Sequence, residues 1–400
     1  MMTRKPLPPA ENPELNLGFL KLSDSAPIIV AYELGIYERY GLDVQLRREV
    51  SWANVRDKVV MGELQAAQML APLPLSTTLG LGGLRATVIT GLSLSLNGNA
   101  ITLSSSLSEE LAALGADPVR SAASSALALR QWIDEKGRGS QLTLAAAHGF
   151  SCHSFQLRRW LRAGGIDPDA DVRIIVLPPQ QMVDSLARGV IDGFCVGEPW
   201  NTVAVQLGVG CVQATGYQVW NNAPEKVLGV SEAWHERNPA THLRLRLALM
   251  EAARWLAQEG NREAVVGFLE APQYLDLPTI RLTPSLTGQF QFEKDGPAIP
   301  MRDFHIFSRY QAGFPWRSGA TRLLNHMGAQ LGRTFGDEQA KALVQQCFRT
   351  DLYREAARYL GEPSPDSDYK QDDCHDEEWD FAQGITLGPD RLLPPAGDTS

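Results

Sequence analysis

Residues 143–177 read TLAAAHGFSCHSFQLRRWLRAGGIDPDADVRIIVL, and the order of apolar and polar positions in this stretch decides the fold. Leu144, Ala145 and Ala146 form a strand-like run, followed by a polar turn, His148-Gly-Phe-Ser-Cys-His153. Beyond the turn Phe155, Leu157, Trp160 and Leu161 recur near helical spacing. Gly164-Gly165 supplies the stop. Asp167-Pro168 then leads into a second run, Val172-Arg-Ile-Ile-Val-Leu177. The unit is strand, turn, helix, turn, strand, with its polar turn at the carboxyl end of a strand. Open α/β sheets bind ligands there, because the following helix offers free N–H groups and the positive end of its dipole. The turn carries His153 and little that could grip a bulky cofactor. A small anion at a helix N-terminus is the first expectation.

The same alternation runs outward from this unit. Leu15–Leu22 alternates as a strand, and Ser23-Asp-Ser-Ala-Pro27 is a turn with Ser or Asp as helix N-cap. A second strand is predicted from Asp43 to Val50, with Ser51 capping the next helix. Ala66–Leu70 is a third strand and Ala71-Pro-Leu-Pro74 a turn. Asn97-Gly98-Asn99 requires positive φ. Ile191–Val196 is a strand that ends in the turn Gly197-Glu-Pro-Trp200, and Glu232–Leu269 has a helical pattern. Strands alternating with helices predict a parallel, doubly wound sheet. Residues 1–13 are Pro-rich and predicted to be disordered or draped over the surface.

Composition narrows the function. The chain has 400 residues, 44% hydrophobic and 21% charged, as ordinary globular proteins do. No run of about 18 apolar residues is present, so no membrane span is expected. The start, MMTRKPLPPA, has no apolar segment of the kind a secretory signal needs. Five scattered cysteines suit reduced thiols. Both features predict a cytoplasmic protein. The net charge of −9 belongs wholly to residues 361–400, which carry eleven Asp/Glu and two Lys/Arg. The rest is formally neutral and has no electrostatic footprint for direct nucleic-acid binding. No Gly-x-Gly-x-x-Gly after a strand, P-loop or Gly-x-Ser-x-Gly occurs, and no catalysis or cofactor is expected. Cys374-His375, in the acidic end, has the appearance of a metal site but is more often adventitious. Cys152 beside His153 lacks a third orienting group for a nucleophile.

Many short pieces in a fixed order resemble one family. They include Asn16-Leu-Gly-Phe, Glu33-Leu-Gly-Ile-Tyr37, Gly41-Leu-Asp-Val44, Ser51-Trp52, Leu70-Ala-Pro-Leu-Pro74 and Leu96-Asn-Gly-Asn-Ala-Ile-Thr102. Arg159-Trp-Leu-Arg-Ala-Gly-Gly-Ile-Asp-Pro168, Asp192–Trp200, Pro224-Glu-Lys226 and Phe314-Pro-Trp316 extend the match to roughly residues 14–330. The set resembles the nitrate- and bicarbonate-binding proteins of ABC importers, the NrtA/CmpA group. That resemblance implies a type II periplasmic-binding-protein-like α/β fold with two lobes and a ligand cleft between them. Lobe 1 would comprise residues 14–104 and 231–360, lobe 2 residues 105–230, and 361–400 an acidic, mostly irregular tail with Phe381–Leu387 as the part that could dock. The start without a signal makes the chain similar to cytoplasmic nitrate/nitrite sensors of the NasS type. These hold an RNA-binding antiterminator of the NasT type inactive until the anion arrives. The alternatives are a transport binding protein for nitrate, bicarbonate or another small solute, and an enzyme on this fold.

Nitrate is planar, monovalent and weakly basic. Its site needs a ring of N–H donors and about one positive charge, away from water. The resemblance assigns four residues to such a site, namely the indole of Trp52, the amide of Asn99, the imidazole of His153 and the ammonium of Lys226. Asn99 stands where the family often has the longer Gln. His148 competes with His153, and the helix start favours His153. Gln68 and Gln156 are candidate supporting amides. Glu198 and Trp200 are expected to order the cleft wall, since a bare carboxylate would repel the anion. A lone Trp, Asn or Lys is more often packing, turn chemistry or a solvated charge, so the cluster matters more than any member.

Overall fold

The protein is described by a computed structural model that covers residues 6–136, 142–258 and 260–397. The strands of its two principal sheets are, in chain order, β1 (Glu14–Phe19), β2 (Asp43–Arg48), β3 (Ala66–Leu70), β4 (Val88–Asn97), β5 (Asn99–Ser104), β6 (Thr143–Ala146), β7 (Arg173–Val176), β8 (Gly193–Gly197), β9 (Gly210–Thr215) and β10 (Pro224–Ser231). One sheet has the order β4-β10-β3-β1-β2, with the short strand His305–Ile306 on the outer edge of β4. The other has the order β7-β6-β8-β5-β9. Each sheet, with its covering helices, is one lobe of a two-lobed α/β fold.

The sheets are mixed rather than parallel throughout. β1 pairs in parallel with β2 and β3, and β6 with β7 and β8. β10 runs antiparallel between β3 and β4, and β5 antiparallel between β8 and β9. The reason is topological: the chain leaves the first sheet on β4, enters the second on β5, and must return on β10. Asn97 and Gly98 make the first passage with φ of 60° and 94°. The passages fall at 97–99 and ahead of 224, so β5 belongs to lobe 2 and β10 to lobe 1. Boundaries at 104/105 and 230/231 place both strands in the wrong lobe, because propensity shows a strand and not which sheet it joins.

The central unit has the expected form. The helix Cys152–Ala163 is capped by Ser151, whose hydroxyl accepts from the Ser154 N–H at 3.1 Å. Its apolar face, Phe155, Leu157, Trp160 and Leu161, is buried at 0–3% exposure, and each such side chain contributes roughly 1.5–3 kcal/mol. Ser51 likewise caps the helix Trp52–Met61 through the Asn54 N–H. No helix among the described residues is long and apolar enough to cross a membrane.

Both chain ends are fastened where described. Residues 1–5 and 398–400, within the segments expected to be loose, lie outside the described residues. Glu11 accepts from the Ala240 and Thr241 N–H groups and so caps the helix Pro239–Ala257. Residues 362–397 form a largely irregular strap fastened to both lobes. Arg317 and Arg354 hold Asp368 against lobe 1. On lobe 2, Leu393 donates to Val219 at 2.9 Å and Ala396 to Arg162 at 3.0 Å. Between them Asn221 donates to the Arg391 carbonyl and the Asn222 amide to the Pro389 carbonyl, over the return passage. Trp379–Ala382 and Ile385–Leu387 pair as a small antiparallel hairpin. Asp390 accepts from the Cys374 and His375 N–H groups and lies 2.9 Å from His375 Nδ1. Cys374, His375 and Asp390 therefore gather as the sequence pair hinted, around a carboxylate already occupied in closing the loop. Much of the negative charge at this end is spent on ion pairs.

Candidate functional site

A buried polar cluster lies where the lobes meet. Lobe 1 supplies Asp24 from the turn after β1, Trp52 from a helix start, Gln68 from β3, and Glu225 and Lys226 from β10. Lobe 2 supplies Asn99 from β5, and His153 and Gln156 from the central helix. All eight are 0–1% exposed. The lobes are in contact beside it: the Ser23 N–H donates to the Glu198 carbonyl at 2.8 Å, and the Trp200 indole to the Lys21 carbonyl. The cleft is closed.

The four residues expected as ligands are brought together. Lys226 Nζ lies 5.5 Å from the centre of the Trp52 ring. It is also 2.7 Å from Glu225 Oε1 and 2.8 Å from Asp24 Oδ2. Asn99 Nδ2 donates to Glu225 Oε2 at 2.6 Å and to Gln156 Oε1 at 3.0 Å. His153 Nε2 stands 3.3 Å from Glu225 Oε1, close but off a hydrogen-bond line. Gln68 spans two jobs, accepting from the Leu20 N–H and donating to Asp24 Oδ1. His148 remains outside, folded onto Phe150 in its own turn. Glu198 turns to the Thr202 N–H in its own wall, and its burial raises its pKa to about 7.

Asp24 and Glu225 were not singled out by sequence reasoning, and they change the electrostatics. Lys226 is not the free positive charge an anion site was expected to hold; two carboxylates already face it. Desolvation works against the ammonium, but attraction to Asp24 and Glu225 outweighs it, and the Lys226 pKa lies above its ordinary value. Burial raises the Glu225 pKa although Lys226 opposes this. Burial and the neighbouring ammonium drive the His153 pKa well down, so the ring is neutral. Burial likewise holds Cys152 and Cys195 as thiols.

Glu225 evaded detection for a geometric reason. Neighbours in a strand face opposite sides of a sheet. Here the pairing of β10 with β4 shifts register on both sides of Lys226. Such an irregularity re-aims side chains, and Glu225 and Lys226 both enter the cleft. Asp24 read as a cap because Ser-Asp-Ser is turn chemistry; its burial within a short 3-10 turn is a tertiary fact.

Several polar atoms here have no hydrogen-bond partner: Trp52 Nε1, His153 Nδ1 and Nε2, Gln156 Nε2 and Asn99 Oδ1. Buried polar groups are normally satisfied, and each orphan costs about 1–3 kcal/mol. Gathered at one interface, these orphans are groups that a small polar ligand or water satisfies.

The sequence profile of the NMT1-like family matches residues 8–270. The chain belongs to the NMT1-like family. Within this family it is similar to NrtA, the nitrate/nitrite binding protein of Synechocystis sp., with 31% identity covering 96% of this chain and 85% of that one. The bicarbonate-binding protein CmpA of Synechococcus sp. is 30% identical, covering 94% and 84%. The crystal structure of the periplasmic nitrate-binding protein NrtA from Synechocystis PCC 6803 superposes with a TM-score of 0.83 at 29% identity, covering 96% of this chain and 97% of that one. The nitrate import ATP-binding protein NrtC of Synechocystis sp. is 38% identical over 361 residues, 90% of this chain. The chain spans about half of NrtC, 52% of its length. This NMT1-like protein thus has the fold and family of nitrate- and bicarbonate-binding substrate-binding proteins.

Proposed function

We propose that this protein binds nitrate or nitrite between its lobes as a cytoplasmic sensor, with Trp52, Asn99, His153 and Lys226 around the anion. The gathered unpartnered groups carry this reading: Trp52 Nε1, Gln156 Nε2 and the ring nitrogens of His153, all buried where the lobes meet. A planar oxyanion satisfies several N–H groups at once, and the closed cleft keeps water from competing. The ligand favours closure by as much as it binds the closed form better. Closure rearranges the surface across both lobes, and an RNA-binding antiterminator of the NasT type reads it, so nitrate assimilation follows the anion. Similarity to NrtC supports an intracellular role, since importers hydrolyse ATP inside the cell and a stretch like this chain forms about half of that ATP-binding protein.

Similarity to NrtA and CmpA favours a second reading, the substrate-binding component of a nitrate or bicarbonate transporter. Calorimetry of the purified protein with nitrate, nitrite and hydrogencarbonate at millimolar levels separates the ligands, with heat expected from nitrate or nitrite. Co-purification with the antiterminator, released on adding the anion, is the expected sign of a sensor. Silence from both nitrogen anions would sink the sensor, and binding of hydrogencarbonate alone would favour transport.

A further inference from the structure

We propose that an anion entering this cleft brings a proton with it, and that Glu225 holds the proton. The inference rests on the anion-binding reading above. Its basis is a count of sealed charges. Asp24, Glu225 and Lys226 are all fully buried, with both carboxylates 2.7–2.8 Å from the shared ammonium. Two carboxylates against one ammonium leave the closed cluster one negative charge in excess before any ligand arrives. A monovalent anion would raise the excess to two, in a space with little water to screen it.

No other group close to Glu225 supplies the missing positive charge. From the central helix it faces the neutral ring of His153 and the Cys152 thiol, and from β8 the Cys195 thiol. From β5 it faces only the Asn99 amide, and from the turn after β1 the Asp24 carboxylate. Further out, His148 and His305 are also kept neutral by burial, with the pKa of His305 down to about 3. A proton from solvent onto one carboxylate returns the liganded cluster to its original charge.

Geometry selects Glu225 as the acceptor, and its Oε1 as the atom. Oε2 already accepts from Asn99 Nδ2 at 2.6 Å. Oε1 stands 3.3 Å from His153 Nε2, an atom without a hydrogen-bond partner. A proton on Oε1 is donated to Nε2 after a small rotation. Nδ1 then carries the imidazole hydrogen, which leaves that N–H free for the anion. No bond other than this O–H forms. Lys226 faces one oxygen of each carboxylate, Glu225 Oε1 at 2.7 Å and Asp24 Oδ2 at 2.8 Å, so the ammonium does not choose between them; the unpartnered His153 Nε2 beside Glu225 Oε1 does. Burial also raises the Glu225 pKa before any ligand is present.

Calorimetric titration with sodium nitrate, in buffers of differing ionisation heat, counts the protons exchanged. The expected result for the native chain is uptake of about one proton above the Glu225 pKa, with affinity falling up to tenfold per pH unit. Glu225→Gln is expected to bind nitrate with no uptake and a flat pH profile. Circular dichroism checks that the variant is folded, and the native-chain count stands without it. Native binding with no proton uptake overturns the proposal. So does uptake that survives in folded Glu225→Gln, or a metal cation taken up in place of the proton. No nitrate heat at any pH overturns the anion-binding reading itself, which the other results leave standing.

Discussion

At the scale of single residues, Lys226 is held from several sides. Its ammonium is buried with two carboxylates, and replacing it strands both. Lys226→Met is expected to lower stability by about 3–5 kcal/mol, the usual loss when one member of a buried ion pair is removed. Urea unfolding measures this, and calorimetry should show no anion binding by any fraction that folds. Trp52→Phe keeps the packing and removes one N–H. Nitrate affinity should fall roughly tenfold or more, the scale of one hydrogen bond to a charged partner, with the melting temperature nearly unchanged. Glu198 gives a pH signature. Its folded pKa of about 7 exceeds the ordinary 4.5. The folded form therefore holds a proton that the unfolded chain has lost between those values. Stability is full below about 4.5 and falls as pH rises to about 7, by roughly 3 kcal/mol. Glu198→Gln should flatten that slope in urea titrations at several pH values. Trp52, Asn99, His153 and Lys226 were legible in sequence because they sit on strand-to-helix turns or in short motifs that resemble a known family. Asp24 and Glu225 were not, since burial and a shifted register leave no periodic trace.

At the scale of elements, local chemistry wrote most of the strands and helices. The turn that opens the helix Cys152–Ala163 combines a serine cap with an apolar face, and both are visible in the residues alone. Ser151→Ala removes the acceptor for the Ser154 N–H. It should destabilise the protein by about 1 kcal/mol, read as a lower urea midpoint at unchanged slope. Strand direction was not legible. β4, β5 and β10 have ordinary strand sequences, and nothing in them reveals which lobe each one joins. Alternation of strand and helix therefore suggested purely parallel sheets, where the connections between lobes impose antiparallel ones. Chain ends were legible only in part, for a related reason. Prolines and acidic residues argue against regular structure, which the strap largely lacks, but say nothing about docking. Asp368 docks all the same, through Arg317 and Arg354 of the body.

At the scale of the whole molecule, two lobes meet over a sealed polar cluster and the strap crosses the passage between them. It covers a cavity of about 50 Å³ whose lining includes Leu96, Trp220, Phe314 and Trp316. Ending the chain at residue 361 would bare this apolar ground. Such a truncation should lower the melting temperature by several degrees or more, in line with a few kcal/mol, as scanning calorimetry would record; an unchanged transition would mean the strap contributes no stability. The order of synthesis gives the topology one more consequence. β10 is the strand that fills the place between β3 and β4, yet the ribosome makes it about 130 residues after β4, on the order of ten seconds later. Throughout that wait the nascent first lobe has a gap with two unpaired edges, the kind of surface that invites aggregation. The second lobe has to fold meanwhile as an insertion hung from an unfinished host. A cell that makes this protein must shelter that gap until one late strand closes it.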